Sequence, residues 1–171
     1  MLDFETLGNG KNKCVIQVGA CYFDRYTGEI GATFERNFDA GSHVKKGAVI
    51  DAQTVYWWLS QSKEAINSIL AEPRVDVTEG FIALNDFLKD AKQIWSHATF
   101  DFVTLTETLR QLDIKPSFHY RVCRDLRTLV DLANLTIDKT PRTGLHHNGL
   151  EDCKHQIKYC VEAINKLKKK L

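Results

Sequence analysis

Two acidic residues, Asp3 and Glu5, stand one residue apart near the start of the chain. In a β-strand the side chains at positions i and i+2 leave on the same face, so these two carboxylates would lie side by side. Crowded carboxylates repel each other, and one of them takes up a proton unless a cation neutralises the pair. Hard divalent ions such as Mg²⁺ and Mn²⁺ favour ligand sets made of oxygen atoms. The spacing therefore predicts a metal site.

Residues with related chemistry recur downstream, at Asp101, His147 and Asp152. Asp101 comes where a short strand is expected to give way to a helix, and Asp152 falls in the first turn of the last predicted helix. Both positions allow a side chain to project at one end of a sheet. Because five residues correspond to about 500° of helical rotation, His147 and Asp152 would not share one helix face. We therefore expect His147 in the loop that precedes this helix.

Each of these residues also has an ordinary interpretation when it is considered alone. Asp3 and Glu5 could mark a solvent-facing strand edge. Asp101 could cap a helix, since aspartate is a preferred capping residue. His147, which follows His146, could be a loop histidine without a function. We favour a joint catalytic interpretation because the residues occur together, in order and at consistent spacing.

The rest of the chain must supply the elements that position these residues. A β-hairpin is predicted by three successive features. Residues 14–24 are rich in β-branched and aromatic types, a turn follows near Gly28, and residues 33–38 alternate between apolar and polar types. Residues 93–95 predict an inner strand, and residues 41–47 and 136–144 predict loops. Apolar periodicity predicts helices over 51–70, over 78–88 with Thr78 as N-cap, over 102–112, over 126–132 and from about Leu150. In chain order, the predicted strands come first and are followed by helices interleaved with short strands. This order predicts an α/β fold with a mixed sheet.

Composition narrows the class of protein. The chain has 171 residues, of which 43% are hydrophobic and 26% charged, and this suits one globular domain over residues 1–171. The apolar runs are too short for a membrane span, and no signal peptide is recognisable at the start. Five cysteines without a C-x-x-C pair favour a reducing cytoplasm. The basic residues 166–171 would form a solvated helix end, and they also permit a nucleic-acid partner.

Three segments together resemble a known superfamily. They are L-D-F-E-T-L-G at residues 2–8, F-D at 100–101 and H-N-G-L-E-D at 147–152. Their types, order and spacing are similar to those of the DEDDh 3′-to-5′ exonucleases, which have the ribonuclease H-like (DnaQ-like) fold. The H-x-x-x-x-D spacing is typical of the histidine subclass, since the tyrosine subclass uses Y-x-x-x-D. Residues 54–59 and 120–129 look most similar to a small phage and bacterial branch of 3′-to-5′ exoribonuclease or exodeoxyribonuclease VIII-like domains.

This resemblance implies a fold, an activity and a set of roles. The fold would be a mixed central sheet flanked by helices. The activity would be metal-dependent release of 5′-mononucleotides from single-stranded RNA or DNA 3′ ends, with two divalent cations, Mg²⁺ or Mn²⁺. Asp3 would bridge both ions, Glu5 and Asp152 would complete the site of the ion that activates water, and Asp101 would hold the other. His147 would be the general base.

The resemblance also suggests substrate contacts. Leu7 would be an apolar wedge against the terminal base, with a plain core leucine as the alternative. Trp57 and Trp58 are about 100° apart on a helix, so one can enter the core while the other stacks on a base. Core packing of both tryptophans is the alternative. The family usually has several apolar residues before Asp3, so we expect a shortened first strand.

Other features leave more than one interpretation open. Arg124, Asp125 and Arg127 could touch phosphate or could form a structural ion pair. Similarity to small relatives implies a homodimer. The competing function is a non-catalytic nucleic-acid-binding module that keeps the fold. Such a module would be expected to lack an acid or the histidine, and all of them are present here.

Overall fold

The sheet that carries the first two acids has four strands. The computed structural model describes residues 1–137, 140 and 142–169. Strand β1 (Leu2–Thr6) pairs antiparallel with β2 (Val15–Phe23), β2 pairs antiparallel with β3 (Ile30–Phe38), and β3 pairs parallel with β4 (Arg74–Val75). The mixed sheet and the predicted hairpin are therefore confirmed. The turn of the hairpin is stabilised by the carboxylate of Asp24, which accepts hydrogen bonds from two backbone N–H groups.

Two short parallel strands and seven helices complete the described chain. Strand β5 (Ile94–Ser96) contacts β1 and pairs with β6 (Cys123–Asp125), so the strand predicted at 93–95 is confirmed with a shift of one residue. A 3₁₀ turn at Tyr120–Val122 precedes β6. The helices are α1 (Ala40–Lys45), α2 (Ala52–Leu59), α3 (Lys63–Leu70), α4 (Val77–Phe87), α5 (Asp101–Gln111), α6 (Leu126–Leu132) and α7 (Gly149–Lys168).

Three sequence-based predictions of helices and loops were wrong, each because of a local cap. The stretch 41–47 is mostly helix α1 rather than loop, since the side chain of Asp39 caps it. The single helix predicted over 51–70 is two helices, because Ser62 accepts a hydrogen bond from the N–H of Ala65 and starts α3. Asp76, and not Thr78, caps α4. Apolar periodicity alone does not detect such restarts.

Strand β1 is buried on both faces, and its two faces differ in character. Leu2 and Phe4 enter the main apolar core, where the ring of Phe4 stacks on that of Phe81 at 5.8 Å between centroids. Asp3 and Glu5 leave on the opposite face, beside their β2 partners at positions 19 and 17. Helix α7 packs against β1 and β2 and covers this polar face. The alternation of the strand thus carries the acids to the helix that bears the third motif.

Helix α7 begins in direct backbone contact with the sheet. A Cβ atom added to Gly19 would lie 2.0 Å from the carbonyl carbon of Gly149, and one added to Gly149 would lie 2.6 Å from the nitrogen of Gly19. The N–H of Gly149 donates to Gln17 Oε1 at 2.8 Å. Asn148 caps the helix and donates to Glu35 and Ser68 at 2.8 and 2.7 Å. The start of α7 is therefore fixed to strands β2 and β3 and to helix α3.

Membrane-spanning helices need about 20 mostly apolar residues. In the described ranges, none of the helices of this chain is both long and apolar enough to cross a membrane.

Candidate active site

The acids of the three motifs converge on one cavity of about 290 Å³. Asp3, Glu5, Asp101 and Asp152 line it and are 8%, 8%, 1% and 9% exposed. The interpretation of Asp3 and Glu5 as a solvent-facing strand edge is therefore wrong. His147 lines the same cavity. The structure thus brings together all five residues predicted from the motifs.

Asp101 is held by backbone groups from two directions. Its Oδ1 accepts a hydrogen bond from the N–H of Phe4 at 3.1 Å, and its Oδ2 accepts one from the N–H of His97 at 3.0 Å. Phe100 occupies the N-cap position of α5 and makes no side-chain cap, while Asp101 is the first helical residue. The interpretation of Asp101 as a helix cap is therefore wrong. The carboxylate instead joins strand β1 to the β5–α5 junction.

The buried carboxylates retain protons more strongly than free ones. Burial, with the charges of Asp101 and Glu5, raises the pKa of Asp3 well above its ordinary value. Burial, and then Asp101, raises the pKa of Glu5 to about 8. Burial also raises the pKa of Asp101 to about 7, against the lowering effect of its two backbone hydrogen bonds. Because burial is the largest cause for each of the three acids, the cavity disfavours their charged forms unless a cation compensates them.

One cationic side chain, Arg142, approaches these acids from the loop before α7. Its guanidinium group contacts Asp152 Oδ1 and also donates to the carbonyl of Leu145 at 3.2 Å. The positive charge lowers the pKa of Asp3 and of Glu5, but the effect of burial on each is larger. Asp152 lies in the first turn of α7, as predicted.

His147 lies in the turn that precedes α7, so its predicted place outside the helix is confirmed. Its backbone has φ of +60°, in the left-handed region. The half-buried ring stands edge-on to Trp57 at 4.7 Å between centroids and lies 3.9 Å from the ring of His146. Burial, with the neighbouring His146 and Arg142, lowers the pKa of His147 to about 4. The imidazole is therefore neutral near pH 7 and has a lone pair that can accept a proton.

Side chains in the cavity form two groups that could each hold a cation. Asp3, His97 and Asp101 bring one ligand atom apiece within 4.8 Å of one another. Glu5, His147 and Asp152 form a second group by the same measure. Each group combines two carboxylates with one imidazole, a donor set suited to divalent metal ions. This arrangement fits the pair of cations that the resemblance implies.

Sequence reasoning missed several residues that line the cavity, among them His97, Gln156 and Arg142. His97 precedes Asp101 by four residues and directly follows β5, and this place just after a predicted strand was the available signal. Gln156 follows Asp152 by one helical turn, and its Nε2 donates to Asp3 Oδ1 at 2.6 Å. Arg142 had no signal in the sequence, because its approach depends on the path of a loop.

The predicted substrate contacts separate into buried and exposed side chains. Trp58 is 4% exposed and its Nε1 donates to the carbonyl of Thr6 at 2.9 Å, whereas Trp57 is 41% exposed. The alternative prediction, that both tryptophans pack in the core, therefore holds for Trp58 and is wrong for Trp57. Leu7 is partly buried and packs against a small apolar cluster that includes Trp58. Its role as a wedge, like base stacking by Trp57, stays a prediction.

A second cavity of about 280 Å³ adjoins the first. The two cavities share lining residues, among them Glu5, and Trp57 lines the second cavity. Polar groups of Asn9, Gln53 and Thr54 line it as well. The space beside the acids thus offers both an aromatic surface and hydrogen-bonding groups.

The Arg124, Asp125 and Arg127 segment does not form the predicted ion pair. Asp125 caps α6 through the N–H of Thr128 at 2.8 Å and accepts the N–H of Ala98 at 3.0 Å. Within the part of the chain that the structure describes, neither arginine lies within salt-bridge distance of Asp125. Arg127 instead lines the acidic cavity.

Known proteins with similar sequences identify the family of this chain. The family model of the 3′-5′ exoribonuclease Rv2179c-like domain matches residues 1–164. An exodeoxyribonuclease of enterobacteria phage T4 is 26% identical over 193 residues, which cover 92% of this chain and 85% of the phage protein. No solved structure matches the chain. The resemblance to the DnaQ-like exonuclease superfamily is therefore confirmed, and the chain belongs to the family of 3′-5′ exoribonuclease Rv2179c-like domains.

Proposed function

We propose that this protein is a metal-dependent 3′-to-5′ exonuclease that hydrolyses phosphodiester bonds at single-stranded RNA or DNA 3′ ends and releases 5′-mononucleotides. Residues 1–171 would act as one domain of the ribonuclease H-like fold. The observation that carries the proposal is the convergence of Asp3, Glu5, Asp101 and Asp152, with His147, on one cavity. Family membership and the phage exodeoxyribonuclease support an exonuclease.

The donor set supports two divalent cations, Mg²⁺ or Mn²⁺. Asp3 would bridge them, Glu5 and Asp152 would complete one site, and Asp101 would belong to the other. The excess of buried carboxylates, whose pKa values are raised, supplies the negative charge that such ions neutralise. When bound, the cations would activate a water molecule and stabilise charge on the phosphate and the leaving oxygen.

The protein's own groups would orient and move protons around that chemistry. His147 is neutral, and it would accept a proton from the attacking water. Gln156 donates a hydrogen bond of 2.6 Å to one oxygen of Asp3, so this carboxylate, which would hold the cations, keeps one orientation. Backbone N–H groups hold Asp101 in the same way. These contacts would pre-position the acids before substrate arrives.

The adjoining cavity supports binding of the terminal nucleotide. The exposed ring of Trp57 lines this cavity and gives a surface on which a base could stack. Leu7 follows β1 directly and would act as an apolar wedge against that base. A sequence-tolerant stacking surface suits an enzyme that removes successive nucleotides from single strands. A cytoplasmic location and a homodimer remain predictions.

The competing function is a nucleic-acid-binding module without catalysis. Such a module would have no need of four buried acids and a neutral histidine around one cavity, because unpaired buried charge destabilises a fold. The complete set therefore favours the enzyme.

A direct test is side-by-side digestion of matched RNA and DNA oligonucleotides labelled at the 5′ end, with Mg²⁺ or Mn²⁺. We expect stepwise shortening from the 3′ end, mononucleotide products and loss of activity with EDTA. Asp101→Asn should be inactive, and Asp90→Asn, a matched change at an exposed aspartate, should retain full activity. Full activity of Asp101→Asn, or digestion in EDTA, would contradict the proposal. The ratio of the RNA and DNA rates identifies the preferred substrate.

A further inference from the structure

A second histidine, His97, lines the acidic cavity and belongs to a different group of candidate ligands from His147. We propose that His97 is a ligand of the cation held by Asp3 and Asp101, and that its nitrogen makes this site prefer Mn²⁺ over Mg²⁺. The inference rests on the proposed function only for the presence of divalent cations. It adds a nitrogen ligand to a site for which the motifs predict oxygen ligands alone.

The first observation is the position of the ring. One nitrogen of His97 lies within 4.8 Å of a carboxylate oxygen of Asp3 and of Asp101, and those two oxygens lie within 4.8 Å of each other. An ion bonded to all three atoms needs separations of this size between its ligands. Asp3 comes from β1, Asp101 begins α5, and His97 lies in the turn that directly follows β5.

The second observation is that, among the residues that the structure describes, the side chain of His97 has a single, long polar contact. The backbone N–H of His97 donates to the carboxylate of Asp101, and its carbonyl accepts hydrogen bonds from the N–H groups of Phe100 and Asp101. His97 therefore contributes to this turn through its backbone and not through its imidazole. The hydroxyl of Tyr159 lies 3.5 Å from His97 Nε2, at the limit of hydrogen-bond distance. The half-buried ring lines the acidic cavity. Within the described part of the chain, no shorter hydrogen bond occupies the imidazole nitrogens.

The consequence for metal choice follows from ligand softness. Imidazole binds transition ions well, whereas Mg²⁺ strongly prefers oxygen ligands. The site that contains His97 should therefore take Mn²⁺ even when Mg²⁺ is in excess. His147 contributes the imidazole of the other group, but it lies on a loop and stands edge-on to Trp57. Its role as general base requires a free lone pair, so it should not be a permanent ligand.

The test is pulsed electron paramagnetic resonance on the whole protein, with a limiting amount of Mn²⁺ in excess Mg²⁺. Under these conditions Mn²⁺ collects in the site with the strongest preference for it. We expect modulation from a directly bound ¹⁴N nucleus in the wild-type protein and in His147→Gln. The modulation should disappear in His97→Gln, and labelling with ¹⁵N-histidine should change it without altering the fold.

Calorimetric titration gives the second measurement. Because an outer contact of a ligand is already worth 10- to 100-fold in metal affinity, loss of the ligand itself should weaken Mn²⁺ binding by at least about tenfold. Binding of Mg²⁺ should change less, which also shows that His97→Gln is folded.

The outcomes separate this inference from the proposed function. Absence of ¹⁴N modulation in the wild-type protein, or its loss in His147→Gln and survival in His97→Gln, would overturn the role of His97. In either case digestion that EDTA abolishes would leave the nuclease proposal intact. Nitrogen ligation without any digestion of RNA or DNA would support the role of His97 and contradict the nuclease.

Discussion

The two halves of the cavity are built in different ways. Asp101 and His97 lie where β5 leads into α5, and two backbone N–H groups hold both oxygens of Asp101. Asp152 and His147, by contrast, belong to the start of α7 and the loop before it. There an arginine side chain contacts the carboxylate, and the backbone of His147 has positive φ. We refer to Asp3, His97 and Asp101 as the strand half, and to Glu5, His147 and Asp152 as the loop half.

This difference shows which part of the site is formed in advance. Backbone hydrogen bonds fix a carboxylate at little cost in side-chain entropy, so the strand half is ready for a cation. The loop half contains a counter-charge, Arg142, in contact with a predicted metal ligand. A cation that binds there must displace this arginine. The strand half should therefore be occupied first, and the loop half should complete the site.

The largest fall in the rate of digestion should come from a substitution in the strand half. Asp101→Asn keeps the shape of the side chain but removes its charge, so the cation of this half should be lost. We expect the rate of digestion to fall by about 10³-fold or more, as for the loss of several kcal/mol of metal-ion stabilisation. Single-turnover digestion measures this fall. A smaller fall in Asp101→Asn than in Asp152→Asn would break the assignment of the halves.

The next effect separates proton transfer from metal binding. His147→Ala should lower the rate by about 10² to 10⁴, the usual contribution of a positioned general base. Calorimetry should show nearly unchanged Mn²⁺ affinity, because His147 is not a permanent ligand. His119→Ala, at an exposed histidine outside the cavity, is the matched control and should be fully active. An unchanged rate in His147→Ala would remove this residue from the mechanism.

A change at Arg142 tests the counter-charge directly. Arg142→Gln should tighten cation binding in the loop half by about tenfold, or about 1.4 kcal/mol, because the competing positive charge is gone. The metal-free protein should become less stable, since its buried acids lose that charge. Titration calorimetry and thermal unfolding measure the two effects. Arg110→Gln on the exposed side of α5 is the control, and equal metal affinity in both variants would contradict displacement.

The last effect is on the free energy of unfolding as pH changes. The folded chain keeps a proton on Glu5 up to pH about 8, whereas the unfolded chain releases it near the ordinary value of 4.5. Because the folded state then binds more protons, the free energy of unfolding of the metal-free protein should fall as pH rises through this window. Asp101, with a pKa of about 7, acts in the same direction.

Thermal unfolding at several pH values measures this fall, with and without Mn²⁺. Saturating Mn²⁺ should flatten the curve, because the bound ion keeps the acids ionised. Glu5→Gln should reduce the slope in the metal-free protein, and Glu162→Gln, at an exposed position of α7, should not. A stability that rises with pH in the metal-free protein would show that the acids are not crowded.

Much of this arrangement was predictable from the sequence, because it depends on short-range patterns. The period of two in β1 predicted that Asp3 and Glu5 share a face, and the geometry of a helix predicted His147 outside α7. Helix boundaries were predicted less well, since caps such as Asp39 and Ser62 outweigh apolar periodicity. The positions of rings and long side chains were not predictable. The approach of Arg142 to Asp152 depends on tertiary packing that no local pattern encodes.

The backbone contact between Gly19 and Gly149 has a consequence for how such a site can diverge in evolution. No side chain lies between β2 and α7 at this contact, so the peptide groups set how close the two elements come. Because peptide groups are the same in every sequence, the distance from Asp3 and Glu5 to Asp152 depends little on side-chain size. Substitutions elsewhere in the core can then accumulate and alter stability without moving the carboxylates apart. Relatives with few identical residues could in this way keep one reaction geometry, provided that neither glycine acquires a side chain.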